Sequence, residues 1–343
     1  MSIPYRTQQQ LKRGAQIALV VLVIGAILWG FWIIWLQRFV VYTRDKGAVL
    51  DFAAETMPYD GQLAVKPEEG LQIEIYYNEG EDQLNVNVQM GQMNGYYVDA
   101  VTLVKSPAAV WEKIQALPEG TAIMVDMKNI YGSFYYSTST GMPQSDSVDV
   151  ASVDAMITNL RKSGYYTIAR IPALRDREFA LRNTKNGLPT VGGYLWMDEE
   201  GCYWLNPTTQ DTKMYLINIA NEIRERGFNE VLFDYYSFPP TDDILFGSDR
   251  MESLASTAQT LVDNCATNYF TVSFVNNGGL WTVPSGRTRV YMDNVADPGQ
   301  LATVAKGLKL EDPQTYLVSI TTSMDTRYNT YSVLRPISVA EQP

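Results

Sequence analysis

From about residue 95 to the C-terminus, short apolar runs alternate with longer amphipathic runs, and this alternation constrains the fold more than any other feature. The apolar runs have the length of strands, and the amphipathic runs have helical spacing. The predicted strands are Tyr96–Val104, Ala122–Met127, Tyr165–Ile171, Glu230–Asp234, Phe270–Val275, Val290–Met292, Thr315–Thr321 and Tyr331–Ile337. Eight strands alternating with helices favour a (β/α)8 TIM barrel, which typically takes roughly 250 residues. A doubly wound open sheet is the competing architecture, but its nucleotide-binding version would carry a Gly-x-Gly-x-x-Gly turn that this sequence lacks.

Helix start and stop signals lie between these strands. Ser106 precedes a predicted helix at Pro107–Leu117, and Gly164 follows one at Ser152–Lys162. The remaining predicted helices are Thr212–Arg226, Met251–Asn264 and Leu301–Leu308.

Charged and polar residues stand at the C-terminal ends of the predicted strands. The ends of parallel barrel strands meet at one mouth, where barrel enzymes place their catalytic groups. We therefore predict that Asp126, Asp234 and Asp293 are catalytic carboxylates, with Asp234 central because it ends the best-defined strand. An Asp at such a position can instead cap the following helix or pair with an Arg, and the local pattern leaves that alternative open. Glu230 starts the strand that Asp234 ends, so a stabilising role is predicted for it at the opposite end of the barrel.

Further residues near the same mouth are predicted to contact substrate. The long loop after the third strand is rich in aromatic rings, which stack on the apolar faces of sugars, although such rings can also pack a loop onto the barrel rim. The predicted substrate-binding residues are Lys128, Arg170, Tyr194, Trp196, Trp204, Asn206, Tyr236 and Asn276.

The composition excludes several kinds of function. The chain has 343 residues and a formal net charge of −11, which argues against nucleic acid as a partner. It has no histidine, so His-based triads and His metal sites are excluded, and we predict neither a metal nor another cofactor. Cys202 and Cys265 lack a metal-ligand spacing, and we expect them to be unpaired rather than disulfide-bonded.

The N-terminal part contains an uncharged run from Ala15 to Leu36. At 1.5 Å per residue it is about 33 Å long, enough to cross the apolar core of a bilayer. Three cationic residues precede the run and three follow it closely, so the charge count is a tie, and the short N-terminal tail favours a cytoplasmic N-terminus. We predict a cytoplasmic tail at 1–14, a single-pass transmembrane helix at 15–37, a small β-rich linker segment at 38–94 and an extracytoplasmic barrel at 95–343. Within the linker segment we expect a hairpin at Phe39–Phe52 and strands at Leu71–Tyr77 and Leu84–Gln89.

Four separated blocks resemble a known family. They are IMVDMKNIYG (123–132), YTIARIPALRDREFALRN (166–183), GYLWMDEEGCYWLNP (193–207) and YLINIANEIRERGFNEVLFDYYSFP (215–239). This stretch of the chain resembles a glycoside hydrolase family related to the alpha-amylase-like (β/α)8 barrel enzymes. The resemblance implies a (β/α)8 fold and action on a polysaccharide or oligosaccharide, often at the cell envelope. The positions matching the family motif are Asp126, Lys128, Arg170, Asp176, Trp204, Asn206, Pro207 and Asp234.

The chain also departs from that family's pattern. Asn129 stands where the family usually has an acid, Ser237 where it usually has an Arg, and the fifth strand does not end in Glu. We therefore carry two hypotheses. The first is a membrane-anchored glycoside hydrolase that acts on cell-envelope or extracellular polysaccharide by carboxylate acid/base chemistry. The alternative is a catalytically degenerate barrel that binds glycan or organises a cell-envelope complex.

Overall fold

The computed structural model describes residues 5–36, 40–43, 47–50, 90–276, 282–293, 295 and 297–337. The chain divides into two compact units, Met1–Ile75 and Tyr76–Pro343, and each is described by itself.

The first unit contains a long helix and a hairpin. Helix α1 spans Tyr5–Leu36, and its Gln16–Ile33 window has a mean hydropathy of 2.3, so this one helix is apolar and long enough to cross a membrane. A removable signal sequence would pass the same test. Strands β1 (Val40–Thr43) and β2 (Gly47–Leu50) pair antiparallel, as predicted. The strands predicted at Leu71–Tyr77 and Leu84–Gln89 lie outside the described residues.

The second unit is a closed barrel of eight parallel strands, which confirms the predicted fold class. Around the barrel the strands follow chain order, and the last strand closes against the first. The strands are β3 (Asn94–Val98), β4 (Ala122–Asp126), β5 (Tyr166–Pro172), β6 (Glu230–Asp234), β7 (Thr271–Val275), β8 (Val290–Asp293), β9 (Leu317–Ile320) and β10 (Ser332–Pro336).

Helices cover the outside of the barrel. They are α2 (Ala100–Lys105), α3 (Pro107–Ile114), α4 (Val150–Lys162), α5 (Arg177–Arg182), α6 (Gln210–Glu225), α7 (Arg250–Cys265), α8 (Pro298–Gly307) and α9 (Pro313–Tyr316), with short 3-10 turns at Thr184–Asn186 and Thr326–Thr330. Between β7 and β8 the described residues, 276 and 282–289, contain no helix. Cys202 and Cys265 are both free and buried.

The extension of the first predicted strand to Val104 is wrong. Strand β3 ends at Val98, and α2 begins at Ala100. Asp99 caps this helix, because its carboxylate accepts a hydrogen bond from the backbone N–H of Thr102 at 2.7 Å. The apolar residues after Asp99 suit a buried helix as well as a strand, and the cap decides between them.

Side chains on the barrel strands alternate between two cores. On β6, Val231 and Phe233 pack outward into the layer shared with the helices, whereas Leu232 packs inside the barrel. Asp234, two residues beyond Leu232, therefore belongs to the inward set at the C-terminal mouth. Gly227, with φ +93°, ends α6 and turns the chain into β6, and a Cβ at that position would lie 2.7 Å from the Arg161 side chain.

The floor of the barrel, at the N-terminal ends of the strands, holds a buried ion pair. Glu230 and Arg289 lie 2.7 Å apart, and their side chains are 0% and 1% exposed. The hydroxyls of Tyr166 and Tyr291 donate to the Glu230 carboxylate at 2.7 and 2.8 Å. The buried charge of Glu230 is paired with Arg289, and its carboxylate oxygens accept two hydrogen bonds. This network is therefore suited to holding strands β5, β6 and β8 together.

Candidate functional site

Arg170, on β5, is the centre of a charged cluster at the C-terminal mouth of the barrel. One of its terminal nitrogens lies 2.7 Å from Asp234 Oδ2 and 2.9 Å from Asp293 Oδ2. Its Nε also donates to Asp234 Oδ2 at 2.9 Å, and its other terminal nitrogen lies 3.9 Å from Asp126 Oδ1. The structure thus brings together the predicted carboxylates Asp126, Asp234 and Asp293, which come from three different strands.

The charges within the cluster perturb one another. Burial alone would lower the pKa of Arg170, but Asp234, Asp126 and Asp293 outweigh it and raise that pKa above its ordinary value. Arg170 therefore stays charged at any pH at which the protein is folded, and it supplies a fixed positive charge between the acids.

Asp126 differs from a solvent-exposed carboxylate. Burial raises its pKa from 3.8 to about 6, the nearby Arg170 opposes that rise, and the charges of Asp234 and Asp99 add to it. Its Oδ2 accepts a hydrogen bond from the backbone N–H of Ala100 at 2.9 Å, which fixes the carboxylate against the start of α2. A carboxyl group with a pKa near 6 can hold a proton close to neutral pH, as a general acid must.

Asp234 is held through both of its oxygens. Oδ2 faces Arg170, and Oδ1 accepts the backbone N–H of the next residue, Tyr235, at 2.7 Å. Its side chain is only 9% exposed. A carboxylate oriented in this way is suited to act as a nucleophile or to stabilise positive charge on a sugar.

A cleft of about 310 Å³ opens beside this cluster and is large enough for a small ligand. It is lined by Arg170, Asp234, Tyr235, Tyr236, Ser237, Val275 and Asp293. Because Asp234 Oδ2 and Asp293 Oδ2 contact the same nitrogen at 2.7 and 2.9 Å, their separation cannot exceed the sum of those distances. An oxygen–oxygen separation within that limit is shorter than the spacing of about 6.5–9.5 Å between the two carboxyl groups of inverting glycosidases.

Lys128, predicted to bind substrate, does not reach the cleft. Its side chain is 0% exposed and lies 2.7 Å from the buried carboxylate of Asp176. Its ammonium also donates to the carbonyl of Pro172 at 2.8 Å. Both charges are satisfied inside the protein, so the geometry favours a structural role for Lys128.

The predicted residues of the long loop after β5 are mostly engaged within the loop. The indole N–H of Trp204 donates to Asp198 at 2.9 Å, and Trp204 is 8% exposed. The side-chain oxygen of Asn206 accepts from the backbone N–H of Thr208 at 2.9 Å, next to the start of α6. Trp196 packs partly buried against the helix-facing core, whereas Tyr194 is 80% exposed and has a ring face available to a ligand.

Two other predicted residues, at the strand ends, are almost fully buried. Tyr236 lines the cleft, but it is 1% exposed and its hydroxyl donates to the carbonyl of Leu254 at 2.8 Å. Asn276 follows β7 and is 3% exposed, and its side-chain nitrogen has no hydrogen-bond partner among the described residues. The alternation along β7 would place Asn276 on the helix-facing side, because Val275 packs inside the barrel.

Two tyrosines that are not among the predicted site residues also lie at the mouth. Tyr97, on β3, packs against the core inside the barrel, and its pKa is raised by burial and by the charges of Asp293 and Asp99. The alternation of side chains between the two faces of a strand is the sequence signal that could have identified Tyr97. Tyr235 lines the cleft beside Asp234 and has a φ of +49°. A positive φ is uncommon for a tyrosine, so the sequence could not predict this backbone conformation.

Within the described part of the chain, no group of three or more His, Cys, Asp or Glu side chains is arranged to hold a metal ion. The guanidinium of Arg170 stands between the carboxylates of Asp234 and Asp293.

Comparison with known proteins gives a family match over about half of this chain. Residues 95–267 match the family model described as "Putative glycosyl hydrolase domain". No curated protein matches the chain.

Among solved structures, a hypothetical protein from Ruminiclostridium thermocellum ATCC 27405 is similar at 21% identity and a TM-score of 0.45, covering 52% of this chain and 96% of its own. The GH36 alpha-galactosidase AgaA of Geobacillus stearothermophilus, in complex with 1-deoxygalactonojirimycin, is similar at 10% identity and a TM-score of 0.49. That match covers 73% of this chain and spans 40% of the alpha-galactosidase chain. Ega3 of Aspergillus fumigatus, in complex with galactosamine, is similar at 10% identity and a TM-score of 0.42, covering 74% of this chain and 95% of its own.

Proposed function

Because the chain belongs to the family described as "Putative glycosyl hydrolase domain", we propose that it is a glycoside hydrolase whose active site is the Arg170 cluster. The observation that carries this proposal is the convergence of Asp126, Asp234 and Asp293 on one guanidinium at the mouth of the barrel. Cleavage of a glycosidic bond needs a proton donor for the leaving oxygen and a second carboxylate for the developing positive charge. This cluster offers candidates for both.

The roles follow from the surroundings of each acid. Asp234, held by Arg170, would attack the anomeric carbon as a nucleophile or stabilise the positive charge that develops there. Asp126, with its pKa of about 6, would protonate the leaving oxygen. Asp293 lines the cleft beside Asp234, so it is the second candidate for the donor.

The substrate in this proposal is a polysaccharide or oligosaccharide of the cell envelope or the extracellular space. The exposed ring of Tyr194 would extend the binding surface along the loop. Helix α1 would anchor the protein in the membrane as a single-pass segment, with residues 1–14 in the cytoplasm, residues 15–37 spanning the bilayer and residues 38–94 linking it to the barrel.

A pH–rate profile tests the assignment of Asp126. The assay would measure release of reducing ends from glycans by wild-type protein and by Asp126→Asn. If Asp126 is the donor, wild-type activity should fall as pH rises through about 6. Asp126→Asn should lose most of its activity, since an amide cannot donate an acidic proton. An unchanged profile in Asp126→Asn would assign the donor role elsewhere, with Asp293→Asn as the next variant to measure.

One observation favours a second candidate function. The Arg170 guanidinium contacts Asp234 and Asp293 at once and so neutralises much of the charge that hydrolysis would use. A barrel that binds glycan without cleaving it would tolerate this arrangement. Glycan binding by wild-type protein without turnover across the pH range would favour that candidate.

A further inference from the structure

Tyr235 has an unusual backbone beside the central carboxylate. Its φ is +49°, and within the described residues Lys309, at +55°, is the one other residue besides glycine with a positive φ. This region is unfavourable for a bulky side chain, so the surrounding structure must hold Tyr235 there. Its backbone N–H is aimed at Asp234 Oδ1, 2.7 Å away.

The ring of Tyr235 is held from the side of the long loop. The guanidinium of Arg175 lies 5.2 Å from the ring centroid, and the ring of Trp204 meets it edge-on with centroids 6.2 Å apart. Asp198 fixes both neighbours, because it accepts hydrogen bonds from Arg175 at 2.7 Å and from Trp204 at 2.9 Å. Arg175, Asp198 and Trp204, which we name the bracket, therefore fix the ring of Tyr235 in the wall of the cleft.

The next residue offers a contrast. Tyr236 is 1% exposed and packs against Phe274 with ring centroids 4.6 Å apart. Tyr235 is only partly buried and lines the same cleft. Of these two adjacent tyrosines, Tyr235 is the one whose ring can meet a ligand.

We propose that Tyr235 is a sugar-binding residue whose ring stacks on the apolar face of the sugar next to Asp234. This inference rests on the proposed glycan-binding function of the same site. Arg175 is then a positioning residue, because it acts on the sugar only through the ring of Tyr235. The long loop contributes to recognition through this bracket, in addition to any contact made by Tyr194.

The test compares variants that separate the ring from the backbone. Tyr235→Gly removes the ring but keeps the N–H that Asp234 accepts, and glycine adopts positive φ without strain. Tyr235→Phe keeps the ring and removes only the hydroxyl. Lys309→Gly is the matched control, since it places glycine at the other position of positive φ, between α8 and α9.

Binding would be measured by calorimetric titration of the full-length protein in detergent with cellohexaose, maltohexaose and chitohexaose, and folding by circular dichroism. For whichever probe binds wild-type protein, Tyr235→Gly should weaken binding by about tenfold, which is a typical contribution of one aromatic stacking contact. Tyr235→Phe and Lys309→Gly should bind like wild type.

A double-mutant cycle tests the role of Arg175. Arg175→Met should weaken binding in the wild-type background but add little in the Tyr235→Gly background, because the ring it positions is already absent. Fully additive losses would overturn the positioning role.

The binding measurements distinguish failure of the Tyr235 proposal from failure of the proposed function. Wild-type binding that Tyr235→Gly leaves unchanged would overturn this inference and leave the proposed function intact. Absence of binding by wild-type protein to all three probes would count against the proposed function itself, and this inference would fall with it.

Discussion

Glu230, at the start of strand β6 on the floor of the barrel, is predicted to stabilise the fold, and this prediction can be tested by one substitution. Glu230→Gln keeps the shape of the side chain but removes the negative charge that faces Arg289 at 2.7 Å. Arg289 is 1% exposed, so its charge would remain buried without a counter-charge. Breaking a buried ion pair on one side typically costs about 3–5 kcal/mol. The amide group would also turn an N–H toward a site that now accepts hydrogen bonds from the hydroxyls of Tyr166 and Tyr291.

A loss of this size should be easy to measure. For a domain of this length, each kcal/mol shifts the thermal midpoint by about 2–4 °C, so Glu230→Gln should lower it by roughly 10 °C. The assay is thermal and urea unfolding followed by circular dichroism. Asp325→Asn is the matched control, because Asp325 pairs with Arg327, whose side chain is 68% exposed, and this change should not shift the midpoint measurably. A midpoint for Glu230→Gln within error of wild type would refute the reasoning.

Three other predictions follow from the same structure. Because burial raises the pKa of Asp126 from 3.8 to about 6, the folded protein holds a proton between those values that the unfolded chain has lost. The free energy of unfolding should therefore fall by up to about 3 kcal/mol as pH rises through that window, and urea titrations should show this loss in wild type but not in Asp126→Asn. Lys128→Met should lower stability by about 3–5 kcal/mol, because the carboxylate of Asp176 would stay buried without its counter-charge, while calorimetry should find any glycan affinity of the folded variant unchanged. Protease added to intact cells should degrade the barrel if residues 39–343 lie outside, and digestion only after lysis would reverse the topology.

Much of the barrel could be predicted from the sequence because its strands are short apolar runs between strong stop signals. Strand β6 has the predicted bounds, Glu230–Asp234. Gly227 ends the preceding helix, and the strand stops where Tyr235 adopts φ +49°, before the chain reaches the prolines after Phe238. The first strand was overextended because the apolar run after Asp99 fits either a strand or a helix. In the structure, the hydrogen bond from the backbone N–H of Thr102 to Asp99 caps a helix at this position.

The charged residues at the strand ends could be predicted from the sequence, but the residues that surround them could not. The positions of Asp126, Arg170 and Asp234 at strand ends were enough to expect them at one mouth, since parallel strands end together. The burial of Lys128 could not be predicted, because it depends on Asp176, which comes from a later part of the chain. Tyr236 was predicted to bind substrate, whereas the ring of Tyr235 is the more exposed of the two in the cleft. The positive φ of Tyr235 is not revealed by the residue type.

The central claim is that Asp234 is the functional carboxylate of a glycan-cleaving site. The most direct measurement is glycan turnover and glycan affinity for wild type and Asp234→Asn, side by side, with folding checked by circular dichroism. The change is nearly isosteric, and it removes the charge that faces Arg170 at 2.7 Å. We expect turnover to be lost while folding and glycan binding remain. Turnover and affinity that both equal those of wild type would contradict the account.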